Sequence, residues 1–148
     1  RDHLSILRLI NSNLENTSVT AVLIGEHTFS RRWVKYEICK SLARGNKLLG
    51  IHINKIKCKN GKTKFHGPDP FDHLALTISA CGNKVTGFLD YDQSSGQWVK
   101  YQDLEEGYDL SERIGTDYRG KSWKLSEFFT PKCWVDDNGY THFGSWVD

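Results

Sequence analysis

Between His3 and Leu14, apolar residues recur at three- and four-residue spacing (Ile6, Leu7, Ile10, Leu14), with polar residues between them. That period gathers them on one face and predicts a short amphipathic helix. The pattern then changes. Ser18 to Ile24 reads Ser-Val-Thr-Ala-Val-Leu-Ile and ends at Gly25. This near-continuous, β-branched run predicts a central parallel strand covered on both faces. Glu26 to Phe29 is a polar loop, after which Ser30 is placed to cap a second helix running to about Arg44 and closed by Gly45-Asn46. Leu48 to Ile53 is a second short apolar strand.

Helix, strand, helix, strand with short loops is the order of an open α/β fold. In such sheets ligands bind beyond the carboxyl ends of the strands. Here those ends are the loop from Gly25 to Ser30 and the stretch after Ile53. Asn54 to Asp72 is polar, basic and broken by Asn60-Gly61 and Gly67-Pro68-Asp69-Pro70, so it reads as a loop or hairpin excursion. Val85 to Tyr91 and Gln97 to Asp103 flank Asp92-Gln93-Ser94-Ser95-Gly96, a hairpin signal. The tail, Ser122 to Phe129 and Cys133 to Val147, is rich in Trp, Tyr and Phe and is expected to pack on the sheet, with Asp137-Asn138-Gly139 as a turn between two short strands.

Composition narrows the class without choosing a function. The chain has 148 residues, 38% apolar and 26% charged, which suits one globular domain over 1–148 and excludes a large multidomain enzyme. No run approaches a membrane span, and the opening Arg1-Asp2-His3 lacks the layout of a secretory signal, so the expected location is cytoplasmic. Cys39, Cys58, Cys81 and Cys133 are far apart and fit reduced thiols. The Asn16-Thr17-Ser18 sequon leads directly into an apolar run and nothing else suggests secretion, so it is read as helix-ending or turn chemistry. Cys58, His66, His73 and Cys81 match no common zinc spacing, and no metal is expected. The net charge of +2 hides an asymmetry: Arg31 to Lys64 holds eleven basic residues and the single acid Glu37, or +10, against −8 elsewhere. Such a segment is first a solvated face, and beyond that it can attract phosphorylated ligands, nucleic acid or acidic surfaces.

That single acid stands out. On a helix, Glu37 lies one turn after Trp33, at the edge of the apolar stripe formed by Val34, Ile38 and Leu42, and the expectation is a half-buried carboxylate beside an indole. It sits near the start of a helix that follows the strand ending at Gly25, close to the expected crevice. A carboxylate there suits a reaction that builds positive charge, such as cleavage of an N-glycosidic bond to ribose through an oxocarbenium-like centre. Trp33 could stack on a cationic ring such as nicotinamide. The plainer alternative from spacing alone is a Glu37 paired with Lys35, Lys40 or Arg44 and a Trp33 filling the core. His27 beside the crevice is a candidate for pocket polarity, and His52 within a strand is expected to be a hydrogen-bonded sheet residue.

Ser30-Arg-Arg-Trp33-Val-Lys-Tyr36-Glu37-Ile38, preceded by Val-Thr-Ala-Val-Leu-Ile-Gly25, resembles the strand and following helix of Toll/interleukin receptor (TIR) domains. With Gly45-Asn-Lys-Leu-Leu-Gly-Ile-His-Ile53, Gly67-Pro-Asp-Pro-Phe-Asp72 and Ser145-Trp-Val147, the sequence is similar to the TIR-like ThsB proteins of bacterial Thoeris antiphage defence. The resemblance implies a flavodoxin-like TIR fold: a central parallel sheet flanked by helices, with a C-terminal β-hairpin and an aromatic-rich tail. It also implies cleavage of NAD⁺ as substrate, with no cofactor, releasing nicotinamide and a cyclised ADP-ribose signal that couples to an effector by diffusion. Under it the catalytic glutamate falls on Glu37 and the tryptophan on the nicotinamide side falls on Trp33. Ser30, Gly25 and His27 then lie at the pocket's edge. Family members carry a strand, a helix and a second strand ahead of the helix that starts here near residue 3, so the resemblance implies an N-terminally incomplete domain. TIR enzymes commonly work as oligomers, which makes a homo-oligomer the expectation.

Two other readings compete. A non-catalytic TIR adaptor would assemble through its surfaces and tolerate loss of Glu37. A nucleic-acid module using the +10 segment would bind in a steeply salt-dependent way and be indifferent to Glu37. It ranks last, and neither nucleic acid nor membrane is an expected partner.

Overall fold

The computed structural model describes residues 18–148. The helix expected over His3–Leu14 lies outside these residues. Two sheets organise the described chain. The first is parallel and comprises β1 (Val19–Ile24), β2 (Lys47–His52) and β8 (Lys132–Cys133), in the order β1-β2-β8. β1 and β2 run in register from Val19↔Lys47 to Ile24↔His52. Their connection is helix α1 (Arg32–Ala43), which packs on both strands.

The chemistry of these elements is largely local. α1 buries Ile38, Cys39, Ser41 and Leu42, a stripe at helical spacing; Ile38 and Leu42 are 0% exposed. Burial of each such side chain contributes about 1.5–3 kcal/mol. The helix stops at Gly45, whose φ of 78° suits glycine; Gly45 N donates to Leu42 O and Asn46 N to Ser41 O, the paired bonds of a Schellman end. Its start differs from expectation. Ser30 lies in the 3₁₀ turn Thr28–Ser30 and donates Oγ to His27 O, while Arg31 holds the N-cap position without a side-chain cap.

Among the described residues β1 is covered on one face, against the expectation of cover on both. Val22 and Ile24 are buried while Ala21 and Leu23 are exposed, and among the described residues β1 is an edge. Among the described strands of this sheet the middle one is β2, where Leu48 to His52 are all buried. Gly50 is required there, because a Cβ would lie 2.8 Å from Cε2 of Phe71.

The second sheet is antiparallel and more extensive than a hairpin. β3 (Leu74–Ile78), β4 (Lys84–Asp92), β5 (Gln97–Lys100) and β7 (Ser122–Lys124) run in the order β5-β4-β3-β7, and β6 (Tyr108–Asp109) pairs with β4. The expected hairpin is its β4–β5 arm: Asp92 accepts from Ser94 and Ser95, and Gly96, at φ 69°, donates its N–H to Asp92 O. It lies mid-chain, and the C-terminal element is instead helix α2 (Gly139–Val147). Tyr140, Phe143 and Trp146 recur every third residue on α2 and ring Trp134, with centroids 5.2, 5.7 and 6.1 Å away. The turn at Asp137–Gly139 therefore leads from β8 into a helix and does not join two strands. One core links both sheets, with Ile24, Ile38 and Leu42 clustered with Phe71, Leu74 and Leu76. The architecture is α/β. Among the described residues no helix is long and apolar enough to cross a membrane, and all four cysteines are free.

Candidate functional site

Trp33 and Glu37 lie one turn apart at the start of α1, so they share a face. With Val34 and Thr20 to Leu23 of β1 they line an open cavity of about 410 Å³. Trp33 is 70% exposed, against the alternative that it fills the core. Its ring is held by neighbours. The Arg32 guanidinium lies 5.4 Å from the Trp33 centroid and is fixed by Asp103, with Nε to Oδ2 at 2.9 Å and Nη2 to Oδ1 at 3.0 Å. Tyr36 meets the indole edge-on at 6.2 Å.

Glu37 is exposed and not half-buried, because its position at the border of the helix stripe faces the open side of β1. Its expected cationic partners do not claim it. Lys35 pairs with Asp90 of β4 at 2.8 Å, and among the described residues Glu37 has no hydrogen-bond or ion-pair partner. A free carboxylate and a solvent-facing indole on one apolar wall can receive a flat cationic group and oppose developing positive charge.

Gly25 and His27 line a different cavity, of about 400 Å³, at the carboxyl ends of β1 and β2. There the β1–α1 turn faces the 53–64 excursion, and Arg31, Lys57 and Lys64 contribute positive charge. The turn is tied by Thr28, whose Oγ1 accepts from Gly25 N at 2.9 Å and donates to Leu23 O at 3.3 Å. The excursion is tied as well: Lys64 N donates to Asn54 O and Cys58 N to Lys62 O, each at 2.9 Å. Gly67 packs so closely on the turn that a Cβ would lie 1.9 Å from Gly25 O. Asn54, 8% exposed, has no donor to its Oδ1 among the described residues.

Ser30 falls into a third cavity, of about 270 Å³, beside the Lys35–Asp90 pair. His73 there contacts Phe29 at 4.9 Å and Tyr91 at 5.7 Å, and burial lowers its pKa. The structure thus joins Trp33 with Glu37 and Gly25 with His27, and places Ser30 apart from both pairs. His52 is buried and stacks on His66 at 4.0 Å, and its Nδ1 has no partner among the described residues, contrary to the hydrogen-bonded residue expected. Burial, then His66, lowers its pKa. Asp69 is pushed up to about 6, chiefly by burial. No group of three or more His, Cys, Asp or Glu side chains among the described residues could hold a metal.

Sequence reasoning did not single out Arg31, Lys57 and Lys64 as cavity residues. The signal is the +10 segment, which reads first as a solvated face and beyond that as able to attract phosphorylated ligands, nucleic acid or acidic surfaces; its convergence on the turn depends on the fold of the excursion.

Comparison with known proteins adds a family. Residues 1–57 match the family model described as Thoeris protein ThsB, TIR-like domain. A protein of Bacillus cereus (strain MSX-D12) named "Putative cyclic ADP-D-ribose synthase ThsB1" is 46% identical over 145 residues, covering 98% of this chain and 73% of that protein.

Proposed function

The chain belongs to the Thoeris ThsB family of TIR-like proteins, and on that premise we propose that it is an enzyme that cleaves NAD⁺, releases nicotinamide and makes a cyclic ADP-ribose-type signal. The observation that carries this reading is the pairing, on one cavity wall, of a solvent-facing Trp33 with a Glu37 that has no partner among the described residues. Trp33 packs against the nicotinamide ring, and Arg32, fixed by Asp103, holds the indole in place.

The bond that breaks joins the ribose anomeric carbon to the pyridinium nitrogen. Its electron pair moves to that nitrogen, nicotinamide leaves neutral, and positive charge builds on the ribosyl carbon. The Glu37 carboxylate opposes that charge, and one such electrostatic contact is worth about 3–4 kcal/mol of barrier. A hydroxyl of the same molecule's other ribose then attacks the anomeric carbon and closes the ring, and its proton passes to Glu37 and on to solvent. Intramolecular attack has the advantage of an already positioned nucleophile. The products are nicotinamide, a cyclic ADP-ribose species and one proton. The signal reaches its antiphage effector by diffusion, and the enzyme works as a homo-oligomer.

Incubation with NAD⁺, followed by chromatography and mass spectrometry, tests the reading. Equal amounts of nicotinamide and a product with the mass of cyclic ADP-ribose are expected. Only linear ADP-ribose would refute cyclisation, and no nicotinamide, even with infected-cell lysate added, would favour the adaptor.

A further inference from the structure

The cavity between the β1–α1 turn and the 53–64 excursion carries charge that the Glu37 and Trp33 chemistry does not use. Arg31, Lys57 and Lys64 line it, and among the described residues none of the three has an acidic partner. By contrast, Lys55 on the same excursion is paired with Asp136. Glu26 is the acid on the lining, and Arg31, Lys57 and Lys64 outnumber it, which leaves the wall net positive. Like charges are held together here because the excursion is pinned at Asn54 and Lys64 and by Gly67 against the turn. Preorganised cations of this kind recognise phosphate oxygens.

The cavity is adjacent to the proposed reaction site. Leu23 lines the Trp33–Glu37 cavity and Gly25 lines this one, two residues on, about 7 Å along an extended chain. Arg31 and Trp33 are likewise two residues apart where α1 begins. A ligand with a cationic ring at one end and a diphosphate in its middle would reach both around one turn. We propose, building on the NAD⁺-cleaving reading, that Arg31, Lys57 and Lys64 hold the diphosphate of the dinucleotide while its nicotinamide ribose lies against Trp33 and Glu37.

The test uses ADP, a diphosphate without nicotinamide, titrated calorimetrically into the parent protein and Lys57→Glu/Lys64→Glu. Both lysines are exposed; Lys57→Gln/Lys64→Gln serves if charge reversal disturbs folding. ADP affinity should fall about tenfold or more in either double variant, and should weaken with added salt in the parent. In turnover, KM for NAD⁺ should rise by a similar factor with a smaller change in kcat, and ADP should compete with NAD⁺. Unchanged ADP affinity in the variants, or inhibition that NAD⁺ does not relieve, would overturn the proposal. The titration needs no catalysis. Lysine-dependent ADP binding without turnover, even with infected-cell lysate added, would therefore sink the cleavage reading, and turnover with an unchanged KM would sink the diphosphate assignment.

Discussion

Gly67→Ala perturbs the contact that closes the basic cavity. A Cβ at this position would lie 1.9 Å from Gly25 O and 2.7 Å from Gly25 C. An ordinary carbon-to-oxygen contact is about 3.3 Å, so one backbone segment has to retreat by about 1.4 Å. Neither side can yield by a rotamer change, because both partners are main chain. Overpacking of this kind costs about 1–3 kcal/mol. Gly67 has no left-handed φ, so alanine recovers about 0.4–1 kcal/mol by restricting the unfolded chain. The net loss is centred on about 1.3 kcal/mol, a fall in Tm of about 3–5 °C for a chain of 148 residues. Thermal unfolding followed by circular dichroism reads this directly. Gly144→Ala is the control: nothing lies within 4 Å of a Cβ there, and in a helix the change should hold or raise Tm. Since the retreat moves Lys57 and Lys64 away from Arg31, ADP affinity should weaken with Tm. A Gly67→Ala protein with the parent's Tm and the parent's ADP affinity would refute the reasoning.

Two further substitutions test polar groups that the fold takes partly or wholly out of water. Asp69 has a native pKa of about 6 against 3.8 unfolded, so its contribution is most favourable below pH 3.8 and is lost as pH rises to about 6. Asp69→Asn keeps an acceptor for Phe71 N and removes the titration, so urea midpoints should rise relative to the parent between pH 4 and 6; parallel curves would contradict this. Tyr101 is 4% exposed and its hydroxyl has no partner among the described residues. Tyr101→Phe should leave stability unchanged or raise it by about 1 kcal/mol in urea denaturation, and a loss of that size would show that the hydroxyl is bonded.

The first strand, the helix after it and the second strand were legible because each is specified locally. The apolar runs end at Gly25 and Ile53, and Gly45 supplies the helix stop in conformation as well as in sequence. β3 was missed although Leu-Ala-Leu-Thr-Ile lies between breakers at Pro70 and Gly82, a signal that a five-residue run gives only weakly. α2 was misread because Tyr, Thr, Phe and Trp favour strands, and here packing around Trp134 overrides that preference. At the site, the spacing of Trp33 and Glu37 fixed their shared face. The exposure of Glu37 depends on what lies across β1, and the grouping of Arg31 with Lys57 and Lys64 depends on a long-range fold of the excursion. Neither is encoded in a short window.

The central claim is that Glu37 stabilises the ribosyl cation, and the most direct measurement is nicotinamide release at saturating NAD⁺ by the parent and by Glu37→Gln, with melting curves alongside. Glutamine keeps the shape and removes the charge. The rate should fall about 10²–10³-fold. Tm should be unchanged, because the carboxylate is exposed and has no partner among the described residues. A Glu37→Gln protein that releases nicotinamide at the parent's rate would contradict the claim.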